Sequence, residues 1–178
     1  MDTQDFLLEE YRTLRVEIAA IKSRLFKIVA FGSVAVPVLT FLGEMPDTRV
    51  VSLILPFVVL VLTILFVADQ QELMRCGRFI RERIEPRFEK GAGWESWLES
   101  QTDLRVLDKC LFGCFVITFF VFYFVSSGMA IEKLWTSGDF RISGANSAIV
   151  GGVAYGIGVL WMFFTLIHHW RSATSTSQ

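Results

Sequence analysis

Three cysteines, two histidines and a run of arginines are the residues whose types could do chemistry in this chain. Cys110 and Cys114 stand one helical turn apart, but a metal site needs two further ligands nearby and the sequence offers none beside them. With Cys76 the count is odd and the spacing unpaired, so no disulfide framework is expected, and the three read as small packing residues. His168 and His169 close an apolar block that Ser143 precedes. A Ser–His pair must bring nucleophile and base within hydrogen-bond reach, and here a whole apolar block separates them. No phosphate-binding glycine loop and no paired carboxylates are visible. The expectation is a protein without a catalytic site, metal or cofactor.

Arg75, Arg78, Arg81, Arg83 and Arg87 crowd one short stretch. Beside a lipid leaflet they could hold anionic lipid, a nucleotide or an oligonucleotide. Glu72, Glu82, Glu85 and Glu89 in the same stretch favour a solvated, self-paired surface instead. Arg78 with Glu82 and Arg81 with Glu85 have the four-residue spacing of weak helical ion pairs. Net charge is −1, so no global basic field gives direct evidence for a nucleic-acid partner.

The elements that position these residues follow from hydropathy. The chain is 53% hydrophobic against about 45–50% for a soluble domain. The excess sits in four blocks, near residues 25–43, 50–68, 110–131 and 145–167, whose only charge is Lys27 at one end. Each approaches the ~20 residues that cross ~30 Å of hydrocarbon. Strand-period alternation is missing, so the fold class expected is an all-α membrane protein with four transmembrane helices. Asp2, Asp5, Glu9 and Glu10 ahead of the first block are unlike a secretory signal.

Of the seventeen Lys and Arg residues, only Arg49, Lys133 and Arg141 fall in the loops between blocks one and two and between blocks three and four. The positive-inside rule then assigns residues 1–24, 69–109 and 168–178 to the cytoplasm of a multi-pass inner-membrane protein. Trp135, Phe140 and Trp170 suit aromatic belts.

Leu7, Tyr11, Leu14, Ile18, Ile21, Leu25 and Ile28 alternate spacings of four and three, a heptad seam with no Gly or Pro between residues 6 and 31. It predicts one helix continuous from the polar segment into the first span. The seam must bury itself against another helix of the chain or its copy in a neighbouring subunit. Leu73, Gly77, Ile80 and Ile84 extend the second span in the same way until Pro86 stops or kinks it. Gly91 and Gly93 mark a turn, and a short helix from Trp94 bears Trp97 and Leu98.

Within the spans, Gly144, Ala148, Gly152 and Gly156 form a small-residue stripe. Such a stripe packs helices closely in lipid, within a subunit or between subunits. Pro37 and Pro56 fall at matching depths, with Ser33, Thr40, Ser52 and Thr63 near them. They mark either a gate or tolerated kinks whose freed carbonyls these hydroxyls satisfy. The aromatics of the third block, Phe112 to Phe124, cover more than one face and suggest a peripheral, lipid-facing helix.

Two segments look familiar: Tyr11-Arg12-Thr13-Leu14-Arg15-Val16-Glu17-Ile18, and Ile84-Glu85-Pro86 followed by Gly93-Trp94-Glu95-Ser96-Trp97-Leu98. Together they resemble a group of small bacterial multi-pass membrane proteins that serve as membrane effectors in anti-phage defence. The resemblance covers about a quarter of the chain. It implies a homo-oligomer in the bilayer, answering a cytosolic signalling enzyme or its nucleotide messenger. It also implies that Tyr11, Leu14, Arg15, Glu17, Glu85, Pro86, Trp94 and Trp97 are structural keystones. Arg75, Arg78, Arg81, Trp94 and Trp97 are the candidate signal or partner surface. The other expectation is a non-conducting anchor that recruits a soluble partner through the Trp94–Trp97 helix.

Overall fold

The computed structural model describes residues 3–43, 45, 49–87, 93–136 and 144–174. All elements among them are helical: α1 (Thr3–Gly43), α2 (Arg49–Phe79), α3 (Trp94–Ser100), α4 (Thr102–Thr136) and α5 (Gly144–Thr174). α2 continues into a π turn, Ile80–Ile84, and a 3₁₀ turn, Glu85–Arg87. Four helices are long and apolar enough to cross a membrane. α1 runs unbroken through the polar segment and the first block, as the absence of breakers before Pro37 predicts. Pro37 and Pro56 lie inside helices that continue past them.

Two boundaries differ from expectation. The third block belongs to a helix that starts at Thr102, eight residues early, because Asp103 in the first turn and the helix formers after it extend it through polar sequence. Pro86 does not end the second extension at once. It sits in the 3₁₀ turn, where its missing N–H costs little. Gly91, Glu89, Lys90, Phe140, Arg141 and Ser143 lie outside the described residues, as do the side chains of Arg49, His168, His169, Trp170 and Arg171.

The chain divides into two compact units, Met1–Lys27 with Ala68–Phe115 and Ile28–Val67 with Val116–Gln178. In the first, Ile18 of α1 is buried with Ile80 and Ile84 of the π turn, and Tyr11, Leu14, Leu73 and Cys76 pack around them. The seam therefore meets another helix of its own chain. Leu7 and Ile21 are buried as well, and Leu25 is half-buried. Arg24 holds Asp69 at 3.5 Å and Glu72 at 3.0 Å.

The second unit has the opposite distribution. Val34, Phe41, Val61, Ile117, Val121, Val153, Leu160 and Phe164 are exposed, while the hydroxyl residues Ser52, Thr63, Ser126 and Ser127 are buried. Phe119 and Tyr123 of α4 are buried too, which corrects the expectation of a wholly peripheral third helix. One of its faces packs, with Phe119 against Phe66 at 5.8 Å between ring centres and Tyr123 Oη donating to Tyr155 O at 2.8 Å. Tyr155 Oη in turn donates to Leu53 O at 3.0 Å. At the end of α1, the Gly43 carbonyl accepts from Ser52 Oγ at 2.9 Å and from Lys133 Nζ, so two side chains satisfy a helix-terminal acceptor.

Candidate functional site: a polar clasp on helix α3

The short helix α3 follows Gly93, whose backbone is extended (φ −67°, ψ 165°) and which has no side chain to cap the helix. Its orphan amides need an acceptor. Glu85, from the 3₁₀ turn, supplies it. One carboxylate oxygen accepts from Glu95 N at 2.7 Å, and the other accepts from Ser96 N at 2.9 Å and from the Ser96 hydroxyl. Glu85 is thus an N-cap delivered from a distant segment, and a carboxylate there also suits the positive end of the helix dipole. A Cβ on Gly93 would overlap the Glu85 side chain, so only glycine fits the approach. Gly77 is the second small residue here, and a Cβ on it would stand 3.4 Å from Glu95 Oε2.

The π turn sets this geometry. Glu85 N–H donates to the Ile80 carbonyl, five residues back. The wider turn lets Ile80 and Ile84 both stay buried while Glu85 swings to α3. It also explains why the expected pairing of Arg81 with Glu85 is not seen. Arg81 meets Glu82 at 3.5 Å, and Glu85 is taken by the amides. Arg78 pairs with no carboxylate among the described residues, since Glu82 faces Arg81.

α1 closes the clasp. Arg15 Nη1 meets Glu95 Oε1 at 3.0 Å, its Nε donates to Tyr11 Oη at 2.9 Å, and its guanidinium lies 5.0 Å from the Tyr11 ring centre. The two sequence segments, far apart in the chain, therefore converge on α3. Burial pushes the Glu85 carboxyl up, but the Ser96 hydroxyl, the two amides and the charge of Arg15 together hold it below its ordinary value. Burial, with Glu17 and Glu72 nearby, pushes the Cys76 thiol up, which makes it a poor nucleophile. Cys110 and Cys114 are exposed thiols. Trp94 and Trp97 are exposed, their ring centres 5.1 Å apart, on the outside of α3.

The span residues singled out by sequence divide. Ser33 and Pro37 are exposed, Ser52, Pro56 and Thr63 are buried, and Thr40 is half-buried, so they do not share one lining. Thr40 donates to Val36 O at 2.7 Å and Thr63 to Val59 O at 2.8 Å. These are back-bonds to the carbonyl one helical turn earlier, not to the Ser33 or Ser52 carbonyls that the prolines free. The packed face of α5 is Ala148, Gly151, Tyr155, Gly158 and Met162, spaced three and four. Gly151 lies under Leu134, and Gly158 under the Tyr123 hydroxyl and Leu60. Of the expected stripe, Gly144 opens α5 and Ala148 is buried, but a Cβ on Gly152 or Gly156 would meet nothing within 4 Å. Sequence reasoning found the glycines but chose the wrong pair for packing, because spacing alone does not say which face meets a neighbour. It missed the capping role of Glu85, for which Gly93 directly ahead of an otherwise uncapped helix was the available signal.

A shallow apolar notch lies among Thr63, Val67, Val116, Phe120, Met162 and Leu166. Thr63 has given its hydroxyl to the backbone, so the notch offers little to a polar ligand. Among the described residues no three His, Cys, Asp or Glu side chains stand together as metal ligands. No family model matches this chain, and no curated protein or solved structure matches it either.

Proposed function

We propose that the chain is an integral membrane effector of the bacterial inner membrane, with both ends cytoplasmic. In this reading it assembles into an oligomer and opens a pore or channel when the cytosolic clasp receives a signal, as in anti-phage defence. The observation that supports it is the continuity of α1. Arg15, which holds α3, and the exposed apolar residues Phe31, Val34 and Phe41 belong to one unbroken helix. A change at the clasp therefore has a direct lever on a span. The apolar exterior of the second unit favours lipid over water as its solvent. Four apolar helices enclose no polar path on their own, so conduction requires several copies. Gly152 and Gly156, open in the single chain, are candidate contacts between copies.

The test is mass in mild detergent by light scattering corrected for bound detergent, followed by conductance in planar bilayers. Four or more copies with conductance supports the pore. A stable monomer or dimer without conductance sinks it. The exposed Trp94–Trp97 pair favours a second reading, a non-conducting adaptor that recruits a soluble partner. That reading expects a partner lost in Trp94→Ala and unchanged permeability under every condition.

A further inference from the structure

The clasp changes the charge balance of the α2 extension. Three of the carboxylates that would neutralise its arginines are engaged: Glu72 by Arg24, Glu82 by Arg81, and Glu85 by the amides of α3. Among the described residues, Arg75, Arg78, Arg83 and Arg87 have no carboxylate within ion-pair distance. Arg75, Arg83 and Arg87 are exposed and Arg78 is half-buried. Uniform α-helix would turn Arg83 about 80° away from Arg75. The π turn advances less per residue and takes back part of that angle, so the four guanidiniums lie along the side away from buried Ile80 and Ile84. Phe79 is exposed between the two arginine pairs.

We propose that this face binds a single-stranded oligonucleotide, with the arginines on successive phosphates and Phe79 as a stacking platform for a base. Four unpaired charges extend over about 18 Å at 1.5 Å per residue, longer than a single phosphate group can bridge. Guanidiniums interleaved with an exposed ring are the arrangement that reads a strand without regard to sequence. The leaflet is the lesser fit. In the membrane reading Arg75 and Arg87 stand roughly 10 and 28 Å beyond Ala68 along the helix. Charges in the cytosol are screened over about 8 Å. The proposal adds a ligand class to the effector reading, and its test needs neither assembly nor permeability.

The experiment is fluorescence anisotropy of a labelled short oligothymidylate with the full chain in nanodiscs of zwitterionic lipid, across a salt series. Four phosphate contacts give a log–log salt slope of about −3. Arg75→Gln with Arg78→Gln, and Arg83→Gln with Arg87→Gln, should each halve that slope. Arg12→Gln, an exposed arginine on α1, should leave it unchanged. Phe79→Ala should weaken the strand at least fivefold, as loss of one stacked base predicts, and leave inorganic polyphosphate unaffected. The proposal is overturned by absence of binding at low salt or by equal loss in Arg12→Gln. Polyphosphate bound as tightly as the strand with Phe79→Ala silent overturns it too, as does binding that appears only when anionic lipid is in the disc.

Discussion

The two units of this chain bury opposite chemistry. The first hides Ile18, Ile80 and Ile84 behind charged helices and fixes α3 with a carboxylate, a guanidinium and two amides. The second turns its aliphatic side chains outward and keeps Ser52, Thr63 and Ser126 inside, each with a backbone carbonyl as partner. A hydrophobic core stabilises only against water, whereas in lipid close packing and satisfied hydroxyls hold helices together. The contrast shows that residue burial here follows the solvent each unit is built for, although the same helices supply both.

Substitutions can break the contrast from either side. The largest effect is expected at Ile84→Asp, which leaves a charge in the first unit's core. It should cost about 3 kcal/mol or more and expose residues 68–115 to limited proteolysis while the spans stay resistant. Equal resistance in both would show that the isoleucine cluster is not the core of a separable unit.

Next comes the clasp. Glu85→Ala strands the amides of Glu95 and Ser96 and should cost roughly 2–3 kcal/mol, read as faster hydrogen exchange in α3. Acid should do the same to the unaltered chain. The Glu85 carboxyl is held below its ordinary value of 4.5. Its stabilisation is therefore complete above that value and fades as pH falls below it through the folded-state pKa. Exchange in α3 that does not change between pH 6 and pH 3 would remove Glu85 as the cap.

In the second unit, Gly158→Leu drives a side chain into Tyr123 and Leu60, and should lower the thermal midpoint in detergent by an overpacking cost of about 2 kcal/mol. Gly156→Leu has open space in the single chain and should leave that midpoint alone. A shift in oligomer mass at an unchanged midpoint would locate Gly156 between copies. The smallest effect belongs to Arg24→Ala. Its exposed pairs with Asp69 and Glu72 are worth less than about 1 kcal/mol, and the loss should vanish in high salt.

How far sequence reaches into this molecule depends on whether the determining interaction is periodic or singular. The seam of α1 was legible because seven apolar residues repeat at heptad spacing without a breaker. The four long apolar helices were legible from composition and length. The π turn was not, because Ile80-Arg81-Glu82-Arg83-Ile84 has the composition of an ordinary helix and its widening is decided by what Glu85 reaches. The capping role of Glu85 was hidden behind a plausible four-residue pairing with Arg81. The α5 packing face was shifted because Gly151 and Gly158 are chosen by Leu134 and Tyr123 on α4, which spacing within α5 does not contain.

The π turn carries information of a kind that no single side chain does. Its residues sit in a register set by one extra amide per turn, so their number fixes where Glu85 arrives. Replacing Arg83 by another polar residue leaves that count intact. Deleting it would let the backbone relax to an ordinary helix and swing everything beyond by about 100°, carrying Glu85 off the end of α3. In this stretch of the chain, length is more constrained than composition.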